Sequence, residues 1–321
     1  METHVASNPE ENLFETRIRN LWNGFVNRFG KLNGKIDLYL PSEIADIQIG
    51  GLEKAQKEVE SFSHVIRNPE IAKRWGTEPS KGLLLYGPVG TGKTLLAKLL
   101  ASKALVPLFH LNIPNLILLA LGMQQRWVEF LQRFYELIGE CQRAVVFFDE
   151  IDLLGSEMSE FFQLAPGFRS QALFLVVQMV DQLAQYPGVI VVGATDRPEV
   201  IGPQLIKRGR FQRLIEVPLP NDQQRKEIME LHIKRAEQIA GRQLFDKLDY
   251  DRILPRLASF SGANIADLIQ RVLGEKVRQE GNGEAVGLVT TEDILEEVSN
   301  YEHIKQYMER IFAKPSEGAY L

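Results

Sequence analysis

Leu83-Leu84-Leu85-Tyr86-Gly87-Pro88-Val89-Gly90-Thr91-Gly92-Lys93-Thr94, followed by Leu95-Leu96-Ala97-Lys98-Leu99-Leu100, reads as a strand, a loop and a helix. The loop is G-x-x-x-x-G-K-T, and a strand before it with a helix after it is the setting in which that pattern binds phosphate. Glycines let the backbone curl so that successive N–H groups point inward, and the helix N-terminus adds its dipole. Gly87, Pro88, Val89, Gly90, Thr91, Gly92, Lys93, Thr94 and Leu95 are therefore expected to surround the phosphates. Lys93 is expected to reach the β/γ-phosphates and Thr94 to offer its hydroxyl to Mg²⁺. By average residue usage the bare pattern arises by accident in roughly one chain of this length in a hundred. Its flanks make accident rarer still, and ATP with Mg²⁺ is the expected ligand pair.

Downstream, Ala144-Val145-Val146-Phe147-Phe148-Asp149-Glu150 is an apolar run ending in two carboxylates, as a buried parallel strand opening into a cleft would show. Asp149 is placed to hold the metal, and Glu150 to polarise an attacking water. Acidic pairs also end strands simply as solvated loop residues; the phosphate loop upstream favours the catalytic reading. Asp152 follows as a supporting or merely solvated group. A third run, Gly188-Val189-Ile190-Val191-Val192-Gly193-Ala194, ends in Thr195-Asp196-Arg197-Pro198, so Thr195 or Asp196 is expected near the same water or γ-phosphate. Lys207-Arg208-Gly209-Arg210-Phe211 then forms a basic cluster, either a solvated face or a group pointing into a neighbour's site.

Ile49-Gly50-Gly51-Leu52, Lys81-Gly82 through Thr94, Phe147-Phe148-Asp149-Glu150-Ile151-Asp152, Gly193-Ala194-Thr195-Asp196-Arg197-Pro198, Gly209-Arg210-Phe211 and Ser261-Gly262-Ala263-Asn264 stand in that order. The set resembles the signatures of the classical AAA ATPases, the ring-forming remodelling ATPases related to katanin, the vacuolar sorting ATPase and the membrane-bound AAA protease. The resemblance spans about residues 45 to 300. It implies a P-loop α/β core, with a parallel sheet flanked by helices, followed by a small all-helical lid. It also implies a homo-oligomeric ring, commonly a hexamer, acting on a protein substrate or adaptor. Ile49, Gly50, Gly262 and Ala263 match the positions that pack on adenine, and His232 the lid histidine near the nucleotide. Thr94 and Asp149 match the magnesium positions, Glu150 the catalytic base and Asp196 the third-strand sensor. Arg210 matches the second of two arginine fingers reaching a neighbour's γ-phosphate; such a group can raise hydrolysis by ~10³- to 10⁵-fold.

Three departures qualify the carry-over. The sensor is usually Asn, which donates and accepts, whereas an ionised Asp196 only accepts and adds negative charge beside a γ-phosphate. The first finger position holds Lys207, a point charge without the planar fork of arginine, so the fingers are Lys207 or Arg208 together with Arg210, with Arg210 favoured. The substrate-gripping aromatic–aliphatic–Gly triplet falls on Leu118-Leu119-Ala120-Leu121-Gly122-Met123, where Ala120 replaces the aromatic. Leu121 and Met123 offer an apolar grip in its place, unless 116–123 is buried core. Phe161-Phe162-Gln163-Leu164-Ala165-Pro166-Gly167-Phe168, where a second pore loop is expected, is aromatic enough to suggest a contact surface.

The 321 residues, 45% hydrophobic and 25% charged, suit one larger and one smaller domain. The expected division is an amphipathic helical arm over 1–44, the nucleotide-binding core over 45–220, a helical lid over 221–300 and a C-terminal helix and tail over 301–321. In the arm, Phe14, Ile18, Leu21, Trp22, Phe25 and Phe29 recur at helical spacing, giving a face expected to pack on the core or a neighbouring subunit. Asn221 or Asp222 is expected to cap the first lid helix. The single cysteine, Cys141, excludes an intramolecular disulfide, and with no apolar run near the ~20 residues of a membrane span it points to a reducing, cytoplasmic setting. No H-E-x-x-H occurs, and a net charge of −5 weighs against a nucleic-acid motor. The favoured function is an ATP-driven protein-remodelling motor. The alternative is a nucleotide-gated scaffold with slow hydrolysis and no threading.

Overall fold

A computed structural model describes residues 9–30, 32–76, 80–123, 125–154, 166–207 and 209–312. Two compact units divide the chain: residues 1–47 with 53–218, and residues 48–52 with 219–321.

The first unit is built on six strands: β1 (Ile36–Tyr39), β2 (Gly82–Tyr86), β3 (Leu108–Asn112), β4 (Arg143–Asp149), β5 (Gly188–Thr195) and β6 (Arg213–Glu216), in the order β1-β3-β4-β5-β2-β6. From β3 to β6 the neighbours are parallel. Strands of this kind are covered on both faces, which is why β2, β4 and β5 are continuous apolar runs rather than alternating ones. Helices α2 (Glu53–Arg67), α3 (Pro69–Arg74), α4 (Lys93–Ala104), α5 (Ile113–Met123), α6 (Arg126–Cys141) and α7 (Pro166–Leu183) flank this sheet or connect its strands. The strand register puts the ends of β2, β4 and β5 side by side, Tyr86 against Thr195 and Phe148 against Gly193. The phosphate loop, the carboxylate pair and the Thr195-Asp196 turn therefore leave the sheet together.

The arm is helix α1 (Pro9–Phe29), and it packs on its own core. Ile18, Trp22, Phe25 and Phe29 are buried, Phe14 is half-buried, and only Leu21 of the apolar face stays exposed. The Phe25 ring lies 5.1 Å from Phe130 of α6, and Trp22 lies edge-on to Phe109 of β3 at 6.1 Å. Each such burial stabilises by about 1.5–3 kcal/mol. The arm does more than cover the sheet. Ile36–Tyr39 adds an antiparallel edge strand to β3, with Ile36 opposite Leu111 and Tyr39 opposite Leu108. Four residues carry too little alternation to announce that strand in advance.

The stretch expected as a substrate-gripping loop is helical. Helix α5 buries Ile113, Leu116 and Ile117, whereas Leu118 and Leu121 are exposed and Met123 packs partly on the core. The core reading therefore holds for one face and the surface reading for the other. Of the aromatic segment 161–168, residues 161–165 lie outside the described residues and 166–168 open α7.

The second unit contains α8 (Asp222–Ala240), α9 (Tyr250–Ile253), α10 (Gly262–Gly281) and α11 (Thr291–Phe312). Asn221 is the cap of α8: its side chain accepts from the Gln224 N–H at 2.9 Å, and Gln224 returns the bond to the Asn221 N–H at 3.1 Å. Two boundaries differ from expectation. Helix α11 runs unbroken across residue 300, because its buried Ile294 and Val298 and half-buried Tyr301 keep one apolar face along that length. Residues 48–52 belong with the helical unit: a Cβ at Gly50 would come 2.9 Å from Ile228 Cγ1 and 3.1 Å from its Cα, so only glycine lets this segment lie on α8.

Candidate nucleotide site

At the N-terminus of α4 the backbone turns through Gly92, whose φ of +106° is open to glycine and costly for any other residue. That turn sends Lys93 back under its own loop. The Lys93 ammonium donates to the carbonyls of Gly87 and Pro88, each at 2.8 Å, and pairs with Asp196 Oδ1 at 2.5 Å. Thr91 Oγ1 donates to the Pro88 carbonyl at 2.9 Å and ties the loop across itself. Val89 and Leu95 face outward, while Gly87, Thr91 and Lys93 are buried.

Thr94 Oγ1 donates to Asp149 Oδ2 at 3.2 Å. A hydroxyl and a carboxylate are hard oxygen donors and fit Mg²⁺. A residue not singled out from the sequence joins them: His110 Nε2 lies 2.9 Å from the same Asp149 Oδ2. A carboxylate only accepts, so Nε2 carries the proton of that bond. Tyr39 and Phe147 flank the imidazole, the latter at 5.0 Å between ring centres. His110 thus fixes the orientation of the carboxylate expected to face the metal. His110→Ala is expected to raise the Mg²⁺ concentration that half-maximally tightens ATP binding by about tenfold, with metal-free ADP binding unchanged. A magnesium titration followed by nucleotide fluorescence measures both.

Glu150 sits just beyond β4 with φ +60°, an uncommon left-handed conformation for a residue with a side chain. Its N–H donates to Asp149 Oδ1 at 3.1 Å. Desolvation, then the neighbouring Asp149, hold the Glu150 carboxyl above the usual range, with a hydrogen bond from Asn112 acting the other way. Raised basicity is what a group that takes a proton from water requires. Thr195 Oγ1 donates to Asp152 Oδ1 at 3.3 Å, which links the turn after β5 to the segment after β4.

The basic cluster is arranged differently from expectation. Arg210 is turned inward and only 8% exposed. Its Nε and Nη2 each donate to Asp181 of α7 at 2.5 Å, and Nη1 donates to the Gln204 carbonyl. The expected outward finger is thus clamped inside its own chain, and the clamp holds Asp181 below the usual carboxylate range. Asp181 precedes Arg210 by 29 residues, so no local pattern links them. Lys207 is exposed, and Arg208 lies outside the described residues.

In the helical unit, Ile49 and Gly50 are half-buried. His232 of α8 is half-buried too, and burial, then Arg235, pull its imidazole below its ordinary value, favouring the neutral form. Gly262 and Ala263 form the first turn of α10, capped by Ser261, which accepts from the Asn264 N–H at 3.3 Å. Cys141 is buried, and desolvation pushes its thiol up to about 12, which removes it as a nucleophile.

Residues 83–219 match the model of the family described as "ATPase family associated with various cellular activities (AAA)". The chain is 33% identical over 258 residues to the ATP-dependent zinc metalloprotease FtsH 2 of Symbiobacterium thermophilum, covering 78% of this chain and 42% of that protein. It is 32% identical over 235 residues to the FtsH of Mycoplasmopsis pulmonis, covering 72% of this chain and 31% of the other. With the proteasome-activating nucleotidase of Thermococcus onnurineus, identity is 38% over 190 residues, 58% of this chain and 46% of that one. The chain spans less than half the length of these relatives. With the phosphate loop, the carboxylate pair and the Thr195-Asp196 turn at adjacent strand ends, these similarities place the chain in the AAA family of ATPases.

Proposed function

We propose that this chain hydrolyses ATP with Mg²⁺ and uses the cycle, in a homo-oligomeric and by family habit hexameric ring, to remodel a protein partner. The observation that carries the reading is the convergence of Lys93, Thr94, Asp149 and Glu150 at neighbouring strand ends. In this reading Lys93 binds the β/γ-phosphates, Thr94 and Asp149 hold the metal, and Glu150 takes the proton of the attacking water. When bound, the metal supplies charge neutralisation at the phosphates. Ile49, Gly50, His232, Gly262 and Ala263 match the family's purine-contacting positions, and among the described residues of the basic cluster Lys207 is an exposed cation available to a neighbouring subunit. A protein substrate is supported by the relatives' names, which tie ATP or a nucleotide to proteolysis or to a proteasome. Among the described residues no helix is long and apolar enough to cross a membrane.

A slow, nucleotide-gated scaffold is the second reading, and the Lys93–Asp196 pair favours it, because the ammonium is engaged within the protein. The two separate on substrate stimulation. For a motor, an unfolded model protein raises the ATPase several-fold. Leu121→Asp abolishes that rise and leaves basal turnover intact, because Leu121 is 46% exposed and its replacement spares the core. Turnover that ignores the added protein in both chains identifies the scaffold.

A further inference from the structure

Lys93 has three N–H bonds and three partners: two carbonyls of its own loop and the Asp196 carboxylate. The Lys93 side chain is 8% exposed and that of Asp196 33%, so the pair is partly shielded from solvent and its Coulomb interaction is stronger than between free ions in water. Asp196 therefore holds, from within the chain, the cation that the phosphate loop offers to a nucleotide. A diphosphate binds the curled backbone amides and reaches Lys93 through its β-phosphate alone, so the ammonium can keep Asp196 as a partner. A triphosphate brings a further anion to the same ammonium, and that anion must both displace Asp196 and approach its charge. We propose that Asp196 is a specificity-determining residue, one that biases the site toward the nucleoside diphosphate by competing with the γ-phosphate for Lys93. The proposal rests on the nucleotide reading above. The competition also has a direction in a cycle: once the terminal phosphate has left, Asp196 recaptures Lys93 and disfavours rebinding. An asparagine of the same shape would carry no charge, and its amide could donate to the γ-phosphate instead.

The test is calorimetric titration with Mg·ATP and Mg·ADP in a Glu150→Gln background, where turnover does not obscure binding. Replacing Asp196 by Asn is expected to tighten ATP by about tenfold or more, the scale of one removed charge at short range, with ADP changed less than about twofold. Asp196→Glu keeps the charge and is expected to retain the parental ATP-to-ADP ratio. An unchanged ratio in the Asn variant, or equal shifts for both nucleotides, overturns the proposal. Retained ADP binding shows that the variant is folded. Lys93→Ala separates the two levels of argument. If it binds both nucleotides as the parent does, the nucleotide site itself is misassigned and the inference falls with it. If it loses them while the Asn variant keeps the parental ratio, only the role of Asp196 is lost.

Discussion

The Lys93→Ala chain is expected to bind ATP at least about a hundredfold more weakly, the loss of two or more charge-assisted hydrogen bonds to phosphate. Glu150→Gln is expected to bind ATP as the unmodified chain does and to turn over about 10²- to 10⁴-fold more slowly. The contrast follows from where the two side chains sit. Lys93 lies under the phosphate loop, where in the proposed reading it meets ground-state phosphates, so its loss is expected to weaken binding. Glu150 lies past the end of β4, outside the loop, and its raised basicity matters only when a water gives up its proton. Lys93→Ala also leaves the partly exposed Asp196 carboxylate without its cation, which adds a repulsion that the incoming phosphates meet. Calorimetry gives the two affinities, and phosphate release gives the rates. A Lys93→Ala chain that binds ATP normally would remove the phosphate-loop assignment. A Glu150→Gln chain that hydrolyses at the parental rate would remove the base.

Where an arrangement depends on residues close in sequence, the sequence announced it. Gly87 to Thr94 builds its cradle from one continuous loop, and Asp149-Glu150 ends a strand whose unbroken apolar run marks it as buried on both faces. The Phe25 and Phe29 face of α1 was legible for the same reason, because helical spacing is local. What stayed hidden were pairings across the fold. His110 acquires its role only because β3 lies parallel to β4, which brings it to Asp149, 39 residues away. Helix α5 was misread because Ile113 to Met123 is apolar on nearly every side, leaving no 3.6-residue rhythm to separate helix from loop. Residues 48–52 look like the start of the core by position. They pack with the helices because Gly50 and Gly51 fit against Ile228 and Gln224.

Arg210 and Lys207 are expected to fail in different ways. Arg210 ties the loop around Gln204 to Asp181 of α7, and its backbone carbonyl lies so close to Gly82 that a Cβ there would come within 1.6 Å. Arg210→Ala is therefore expected to destabilise the fold by about 2 kcal/mol, less than a fully buried pair because Asp181 keeps part of its solvent. At about 2–4 °C per kcal/mol for a unit of this size, melting falls by several degrees. Lys207→Ala removes an exposed charge and is expected to leave melting unchanged, yet to lower turnover if the ammonium serves a neighbour's site. A ring built on shared sites allows rescue: mixing Lys207→Ala with Glu150→Gln subunits leaves some interfaces with both a base and a cation. Activity should then exceed that of either parent, with light scattering showing that mixed assemblies form. Arg210→Ala should show no such rescue, because its defect lies within each subunit. The opposite pattern, with normal melting for Arg210→Ala and rescue only for that variant, means that the Asp181 clamp opens in the ring and that Arg210 is the trans-acting cation after all.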